Sequence, residues 1–224
     1  MPEPRRIRIL ICDDHRIVGD AMAMMIGMDD GLKLVADPFN TAETAVAAIA
    51  ELQPDVVLMD VDLPGMNGIE ATRAIVTDRP STKVVVISGG DPDAMLVAAI
   101  GAGAAGFLPK TEAGSKILGA VRAAASGESL LDSLTLMRVL RQVGDARANR
   151  GAINQKTSRL TGREIQILHS VAQGESNADI ASDLLLSVHT VQTHIRNIFI
   201  KLDVHCKLQA VALAVKAGAI TVSK

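Results

Sequence analysis

Short apolar runs alternate with longer segments of helical periodicity along the first 126 residues of the chain. Continuous apolar runs of this kind are typical of strands that are buried on both faces of a sheet. Segments whose apolar residues recur every three to four positions are typical of helices that cover such a sheet. The pattern predicts strands at 7–12, 32–36, 56–59, 84–87 and 106–108, and helices at 15–28, 41–52, 68–78, 93–102 and 115–125.

Five strand–helix units in succession predict an α/β domain. We expect a five-stranded parallel sheet with helices on both faces and right-handed crossovers. In sheets of this kind ligands bind just beyond the carboxyl ends of the strands. The residues that follow each predicted strand are therefore where a functional site is expected.

Charged and hydroxyl side chains follow four of these strands. Asp13 and Asp14 come after the first strand, Asp60 after the third, Ser88 after the fourth and Lys110 after the fifth. Three converging carboxylates repel one another and suit a hard divalent cation with oxygen ligands, such as Mg²⁺. A carboxylate beside Mg²⁺, with an ammonium and a hydroxyl near its far side, is a receptor for a phosphoryl group.

This set of residues, with Pro109 before the lysine, resembles the receiver domain of bacterial two-component response regulators over roughly residues 6–126. The resemblance implies a flavodoxin-like sheet and implies that Asp60 accepts phosphate from a sensor histidine kinase. It also implies that Mg²⁺ is held by Asp13, Asp14, Asp60 and the backbone carbonyl of Asp62.

The resemblance assigns roles to residues of the last two strands as well. Lys110 is expected to bind the phosphoryl group, and Ser88 and Phe107 are expected to reorient when it is attached. The peptide before Pro109 is expected to be cis, a geometry that proline makes accessible. A receiver is not an enzyme with a separate substrate, although it promotes its own Mg²⁺-dependent phosphorylation and dephosphorylation.

Two alternatives remain open on the sequence. Asp60-Val61-Asp62 also fits the DxD start of haloacid-dehalogenase-like phosphatases, in which the first Asp is the nucleophile and the second an acid/base catalyst. Those enzymes usually place the motif near the first strand, whereas here it follows the third. The other alternative keeps the fold but replaces phosphorylation with control by a protein or a small ligand.

Composition and charge narrow the class of protein. The chain has three Phe and no Tyr or Trp, so base stacking on aromatic side chains is not an expected mode of nucleic-acid binding. Residues 1–126 carry 11 Lys and Arg against 17 Asp and Glu, whereas residues 127–224 carry 12 against 8. The basic second half suggests a polyanion as its partner. No signal peptide or membrane span is evident, so a cytoplasmic protein is expected.

The pattern changes after the first domain. Residues 128–156 are predicted to form a linker, which admits a helix at 133–142 and is otherwise polar. From residue 157 onward four short helices are predicted. Thr161 and Glu164 fit a capping box for the first, Ser176 and Ser187 open the second and third, and the fourth runs over 207–216. Short helices with tight turns are typical of a helix-turn-helix unit.

The third of these helices has two different faces. We expect its apolar face to be buried and its polar face to point outward. The apolar residues are Val188, Val191, Ile195, Ile198, Phe199 and Leu202, and the polar residues are His189, Gln192, Thr193, Arg196 and Asn197. Arg can pair with guanine and Gln with adenine in a major groove, although a polar helix face is more often simply solvated.

The wider segment strongly resembles the LuxR-type helix-turn-helix of NarL/FixJ response regulators over about residues 157–220. The resemblance rests on Leu160-Thr161-x-Arg163-Glu164, Gly174-x-Ser176-Asn177, Ile180-Ala181, Ser187-x-x-Thr190-Val191-x-x-His194, Asn197-Ile198 and Lys201-Leu202-x-Val204. It implies that Gln192, Thr193 and Arg196 face DNA and that Lys201 contacts a phosphate. In this family the last helix forms a dimer contact.

A stripe of small apolar residues on the last helix could serve as that dimer contact, or it could pack in the domain core. The stripe comprises Leu208, Val211, Ala212 and Val215. The sequence as a whole predicts a transcription regulator of three parts: a receiver at 1–127, a linker at 128–156 and a DNA-binding domain at 157–224. Activation by release of the DNA-binding domain and activation by receiver dimerisation both stay open, as do the kinase, the operator and the direction of control.

Overall fold

The structure is a computed structural model that describes residues 5–90, 92–128 and 150–221. The chain divides into two compact units, Met1–Ser126 and Gly127–Lys224. The helix predicted at 133–142 lies outside the described residues.

The first unit contains the five-stranded parallel sheet that the sequence predicted, and its strand order is β2-β1-β3-β4-β5. Its strands are β1 Ile7–Cys12, β2 Leu32–Leu34, β3 Val56–Asp60, β4 Lys83–Ser88 and β5 Gly106–Pro109. The side chains of β3 are buried throughout, as are those of β1 from Ile9 onward. Apolar runs without alternation are expected where helices cover both faces of a sheet.

Five helices cover this sheet. They are α1 Arg16–Gly27, α2 Ala42–Leu52, α3 Gly68–Asp78, α4 Pro92–Ala102 and α5 Lys110–Ser126. α1 contacts α5, whereas α3 contacts both α2 and α4, so the helices form two layers on opposite faces. α5 begins five residues before the predicted start, immediately after β5, which places Lys110 at its first position.

The second unit is helical over the described residues. Its helices are α6 Arg150–Thr157, α7 Gly162–Ala172, α8 Asn177–Asp183, α9 Val188–Leu202 and α10 Lys207–Lys216. The predicted capping box of Thr161 and Glu164 is confirmed, and Ser176 and Ser187 cap α8 and α9. These caps satisfy amide groups that a helix start leaves unpaired, which explains why such short helices are well defined.

In the described parts of the chain, no helix combines the length and the apolar character needed to cross a membrane.

Candidate functional site

The carboxyl ends of four strands meet at one edge of the sheet. Met59 pairs with Cys12, Asp60 with Ile87 and Ser88 with Pro109, so the last residues of these strands lie level with one another. The side chains that follow them are therefore brought to the same place by the parallel register. This alignment explains why residues that follow successive strands in the sequence form one cluster.

Lys110 lies between two buried carboxylates. Its Nζ is 2.7 Å from Asp60 Oδ2 and 3.1 Å from Asp13 Oδ2, and neither carboxylate side chain has any exposed surface. Asp13 Oδ1 accepts hydrogen bonds from Lys110 at 3.3 Å and from the backbone amide of His15 at 2.9 Å. The structure thus brings together Asp13, Asp60 and Lys110, which the sequence separates by up to 97 residues.

The cluster of Asp13, Asp60 and Lys110 carries a net negative charge. Burial raises the pKa of Asp60 and repulsion from Asp13 adds to the rise, while the hydrogen bond from Lys110 and the amide of Asp62 oppose it. Burial alone would lower the pKa of Lys110, but its hydrogen bonds to Asp60 and Asp13 outweigh burial and raise it. One ammonium between two buried acids leaves a net negative charge that a cation would stabilise.

The residues fit a divalent cation on a structural ground. Asp60 Oδ1 is buried and accepts no hydrogen bond from the part of the chain that the structure describes. A buried oxygen without a partner costs free energy unless a ligand completes it. Ligand atoms of Asp13, Asp14, His15 and Asp60 all lie within 4.8 Å of one another. Carboxylate oxygens suit Mg²⁺, so this donor set can hold the predicted ion.

The loop after Asp60 is held by a hydrogen bond to a side chain of helix α2, a contact that the sequence did not suggest. Glu43, in the first turn of α2, accepts a hydrogen bond from the backbone amide of Met66 at 2.7 Å. Gly65 has a φ of 78°, and a Cβ there would lie 2.5 Å from Glu43 Oε1. A Cβ on Gly68 would lie 1.8 Å from the Asp60 carbonyl oxygen. These two glycines let the loop that carries Asp62 fold back against the end of β3.

Ser88 and Phe107 occupy the positions predicted for them on β4 and β5. Both side chains are buried, and Ser88 Oγ accepts a hydrogen bond from the Gly90 amide at 3.1 Å. Their reorientation on phosphorylation stays a prediction. The expectation of a cis peptide before Pro109 was wrong, because no peptide bond in residues 5–90, 92–128 and 150–221 is cis.

In the second unit, α9 has the two faces that its sequence predicted. Gln192, Thr193 and Arg196 are exposed, as are His189 and Asn197. The opposite face is buried through Val191, Ile195, Ile198 and Leu202. Val188 was expected to be buried but is 42% exposed, because it is the first residue of the helix and its side chain lies beyond the packed face.

Lys201 forms an ion pair within the domain, a contact that the sequence did not suggest. Its Nζ lies 2.8 Å from Glu164 Oε1 and 2.7 Å from Glu164 Oε2. Burial would raise the pKa of Glu164, but the hydrogen bonds from Lys201 and Thr161 outweigh burial and lower it. The Lys201 side chain is 31% exposed and its ammonium has three donors, so the pair with Glu164 leaves the predicted phosphate contact a prediction.

The apolar stripe on α10 belongs mainly to the domain core. Leu208, Val211 and Ala212 are buried in the single chain, and Val215 is partly exposed. The helix contacts α7 and α9, which accounts for this burial. Of the two interpretations left open by the sequence, the structure supports core packing for the first three residues. The possible dimer contact of this helix stays a prediction.

Two family models match the chain. Residues 9–122 match the response regulator receiver domain, and residues 158–214 match the bacterial regulatory proteins of the luxR family.

Curated relatives match over nearly the whole chain. It is 36% identical over 208 residues to the transcriptional regulatory protein LiaR of Bacillus subtilis (strain 168), covering 93% of this chain and 96% of the relative. It is 34% identical over 213 residues to the nitrate/nitrite response regulator protein NarP of Escherichia coli (strain K12), covering 95% and 96%.

Solved structures agree with this grouping. The receiver domain of the putative response regulator NarL from Mycobacterium tuberculosis is 30% identical, with a TM-score of 0.53, and covers 56% of this chain and all of that one. The RcsB response regulator of Salmonella typhimurium shares the fold at 21% identity and a TM-score of 0.55, over 96% of this chain. The chain therefore belongs to the response regulators that combine a receiver domain with a LuxR-type DNA-binding domain.

Proposed function

We propose that Asp60 accepts a phosphoryl group from a sensor histidine kinase and that this modification controls DNA binding and transcription by the second unit. The observation that carries the proposal is the buried Asp60 carboxylate. One of its oxygens contacts Lys110 at 2.7 Å, and the other has no hydrogen-bond partner among the described residues. β3 is otherwise apolar and buried, and the role of Asp60 as the reacting group explains why this strand ends in a carboxylate.

The transfer is a nucleophilic displacement at phosphorus. A carboxylate oxygen of Asp60 forms a bond to phosphorus while the bond from phosphorus to the phosphohistidine nitrogen of the kinase breaks. The imidazole leaves with the bonding electron pair and is protonated from solvent. Lys110 supplies a fixed positive charge beside the phosphoryl oxygens, which stabilises the transition state because it needs no reorganisation.

Asp13, Asp14 and Asp60, with the backbone carbonyl of Asp62, are the residues that would hold Mg²⁺. When bound, the ion neutralises the acids and the negative charge of the incoming phosphoryl group. With this set the receiver promotes its own phosphorylation and dephosphorylation. Glu43 supports the site by holding the loop that follows Asp60.

The output is assigned to the exposed face of α9. Phosphorylation adds negative charge to an acidic site, and Ser88 and Phe107 are the residues proposed to respond. Gln192, Thr193 and Arg196 are proposed to contact double-stranded DNA in the major groove. One neighbour in fold is described as an RcsB–DNA complex. We assign this activity to a homodimer in the cytoplasm, with the receiver at 1–127, the linker at 128–156 and the DNA-binding domain at 157–224.

Intact-mass measurement after incubation with acetyl phosphate tests the acceptor. The full chain is expected to gain one phosphoryl group when Mg²⁺ is present and none when it is absent. Asp60→Asn is expected to gain none, whereas Asp78→Asn, which changes an exposed acid at the end of α3, should behave as the wild type. No gain by wild type, when a known receiver gains mass in parallel, refutes phosphorylation and favours control by a ligand. Steady hydrolysis of acetyl phosphate without accumulation favours the phosphatase alternative.

A second measurement tests the output. Selection from random-sequence double-stranded DNA supplies a bound site, and gel shift then compares phosphorylated and unphosphorylated protein on that site. Phosphorylation is expected to change the affinity, and Arg196→Ala is expected to weaken binding in both states by about tenfold. Equal binding by phosphorylated and unphosphorylated wild type contradicts the proposed control.

A further inference from the structure

His15 has no role in the chemistry described so far, yet its imidazole points into the acidic cluster. Its Nδ1 lies 2.6 Å from Asp14 Oδ1 and 3.6 Å from Asp13 Oδ1. Together with an oxygen of Asp60, these atoms form a group of four in which every pair is within 4.8 Å. The cluster therefore offers one nitrogen ligand beside its carboxylate oxygens.

The backbone explains why the imidazole faces the cluster. His15 is the N-cap residue of α1, and in this described segment its side chain makes no capping hydrogen bond to the helix. Its own amide donates to Asp13 Oδ1 at 2.9 Å, which fixes the turn between β1 and α1. The side chain is 63% exposed, so it can adjust its position when a cation enters.

Imidazole changes which cation the site prefers. Mg²⁺ is hard and prefers oxygen ligands, whereas imidazole nitrogen suits Co²⁺, Ni²⁺ and Zn²⁺. We infer that His15 is a nitrogen ligand in this site and that the cluster binds a transition-metal dication such as Co²⁺ more tightly than Mg²⁺. The inference rests on the proposed function, because the same carboxylates would hold either ion.

The distances are compatible with a shared ion. Ligand bonds to such a cation are about 2.1 Å long, so two ligand atoms on opposite sides of it are about 4.2 Å apart. The limit of 4.8 Å in the cluster therefore requires only a small contraction. Lys110 lies on the Oδ2 side of Asp60 at 2.7 Å, and Asp60 Oδ1 is buried without a hydrogen-bond partner among the described residues. The unpartnered Asp60 Oδ1 therefore indicates, independently of the ligand spacing, that this cluster binds a ligand.

A purely electrostatic role for His15 makes a different prediction. If the imidazole only forms a partly exposed ion pair with Asp14, its removal should have similar effects on every divalent cation, since charge alone is involved. If it is a ligand, its removal should weaken Co²⁺ binding selectively. The two explanations are therefore separated by comparing two metals on the same variants.

Calorimetric titration of the full chain with Co²⁺ and, separately, with Mg²⁺ makes this comparison. His15→Ala is expected to lower Co²⁺ affinity by at least about tenfold and Mg²⁺ affinity by less than about threefold. His189→Ala, which removes an exposed histidine of α9, is the matched control and should leave Co²⁺ affinity unchanged. Proton NMR of the Co²⁺ form should show a paramagnetically shifted, exchangeable imidazole N–H signal that His15→Ala lacks.

The outcomes separate the inference from the proposed function. Unchanged Co²⁺ affinity in His15→Ala, or a loss caused by His189→Ala instead, overturns the assignment of His15. An equal change in the affinity for both metals in His15→Ala also overturns it, because an imidazole that only pairs with Asp14 affects either cation in the same way. If neither metal binds, or if Asp60→Asn binds both as the wild type does, the proposed acceptor site itself fails.

Discussion

Lys207 allows a quantitative test of how the second unit is stabilised. It is the first residue of α10 and only 7% exposed, and its Nζ donates a hydrogen bond to the buried Asn177 Oδ1 at 2.9 Å. Burial lowers the pKa of Lys207 from 10.5 to about 8. A buried ammonium with a neutral partner is a cost to folding that deprotonation removes.

The sign and size of the effect follow from proton linkage. Between pH 8 and 10.5 the unfolded chain holds the Lys207 proton and the folded chain releases it, so stability rises with pH in this window. From pH 7.5 to 9.5 the gain is about 2 kcal/mol, since each pH unit inside the window contributes about 1.4 kcal/mol. Below pH 7.5 both states are protonated and the effect disappears.

Scanning calorimetry of the full chain at pH 7.5 and 9.5 measures this gain. The chain has no Trp or Tyr for intrinsic fluorescence, so far-UV circular dichroism is the second method for following unfolding. Lys207→Met is expected to lose the pH-dependent gain of about 2 kcal/mol relative to wild type. Lys216→Met, at the other end of α10, should retain it. The reasoning is refuted if wild type and Lys207→Met show the same change in unfolding free energy between the two pH values.

Three further substitutions test other features. Leu185 is 92% exposed and has a φ of 53°, a left-handed conformation that Asn tolerates better than Leu. Leu185→Asn should therefore stabilise the second unit by about 1 kcal/mol in thermal unfolding, and a lower melting temperature would contradict this. Glu164→Gln should cost about 2 kcal/mol in urea unfolding, since Lys201 loses its charged partner; an unchanged midpoint would show that the pair is not stabilising. Glu43→Ala should accelerate hydrogen exchange at the Met66 amide and slow phosphorylation by acetyl phosphate; unaltered exchange would show that this contact does not hold the loop.

The sequence predicted that Asp13, Asp60 and Lys110 come together, because topology alone brings strand ends side by side. Asp13, Asp60 and Lys110 each follow a recognisable apolar run, and a parallel sheet places those positions side by side. The same logic fixed the helix caps at Thr161 and Ser187, which are local signals within four residues.

Features that depend on packing between distant segments could not be predicted in this way. Glu43 reaches Met66 across 23 residues, and neither position carries a signal of that contact in the sequence. The ion pair of Lys201 with Glu164 was not predicted, because the two residues are 37 positions apart and Glu164 already had a local role as a cap. The α10 stripe was ambiguous because small apolar residues look the same whether they face a core or a partner.

The confinement of the proposed acceptor site to one edge of the sheet has a practical consequence for fluorescence experiments. Ser81 is exposed in the turn before β4, at the opposite edge from Ser88. Both native thiols are buried, and burial raises the pKa of Cys12 to about 12, so neither is expected to react readily with maleimide reagents. Ser81→Cys would therefore give a single dye-labelling position on the receiver without removal of a native cysteine and without disturbing the edge where Asp13, Asp60 and Lys110 meet.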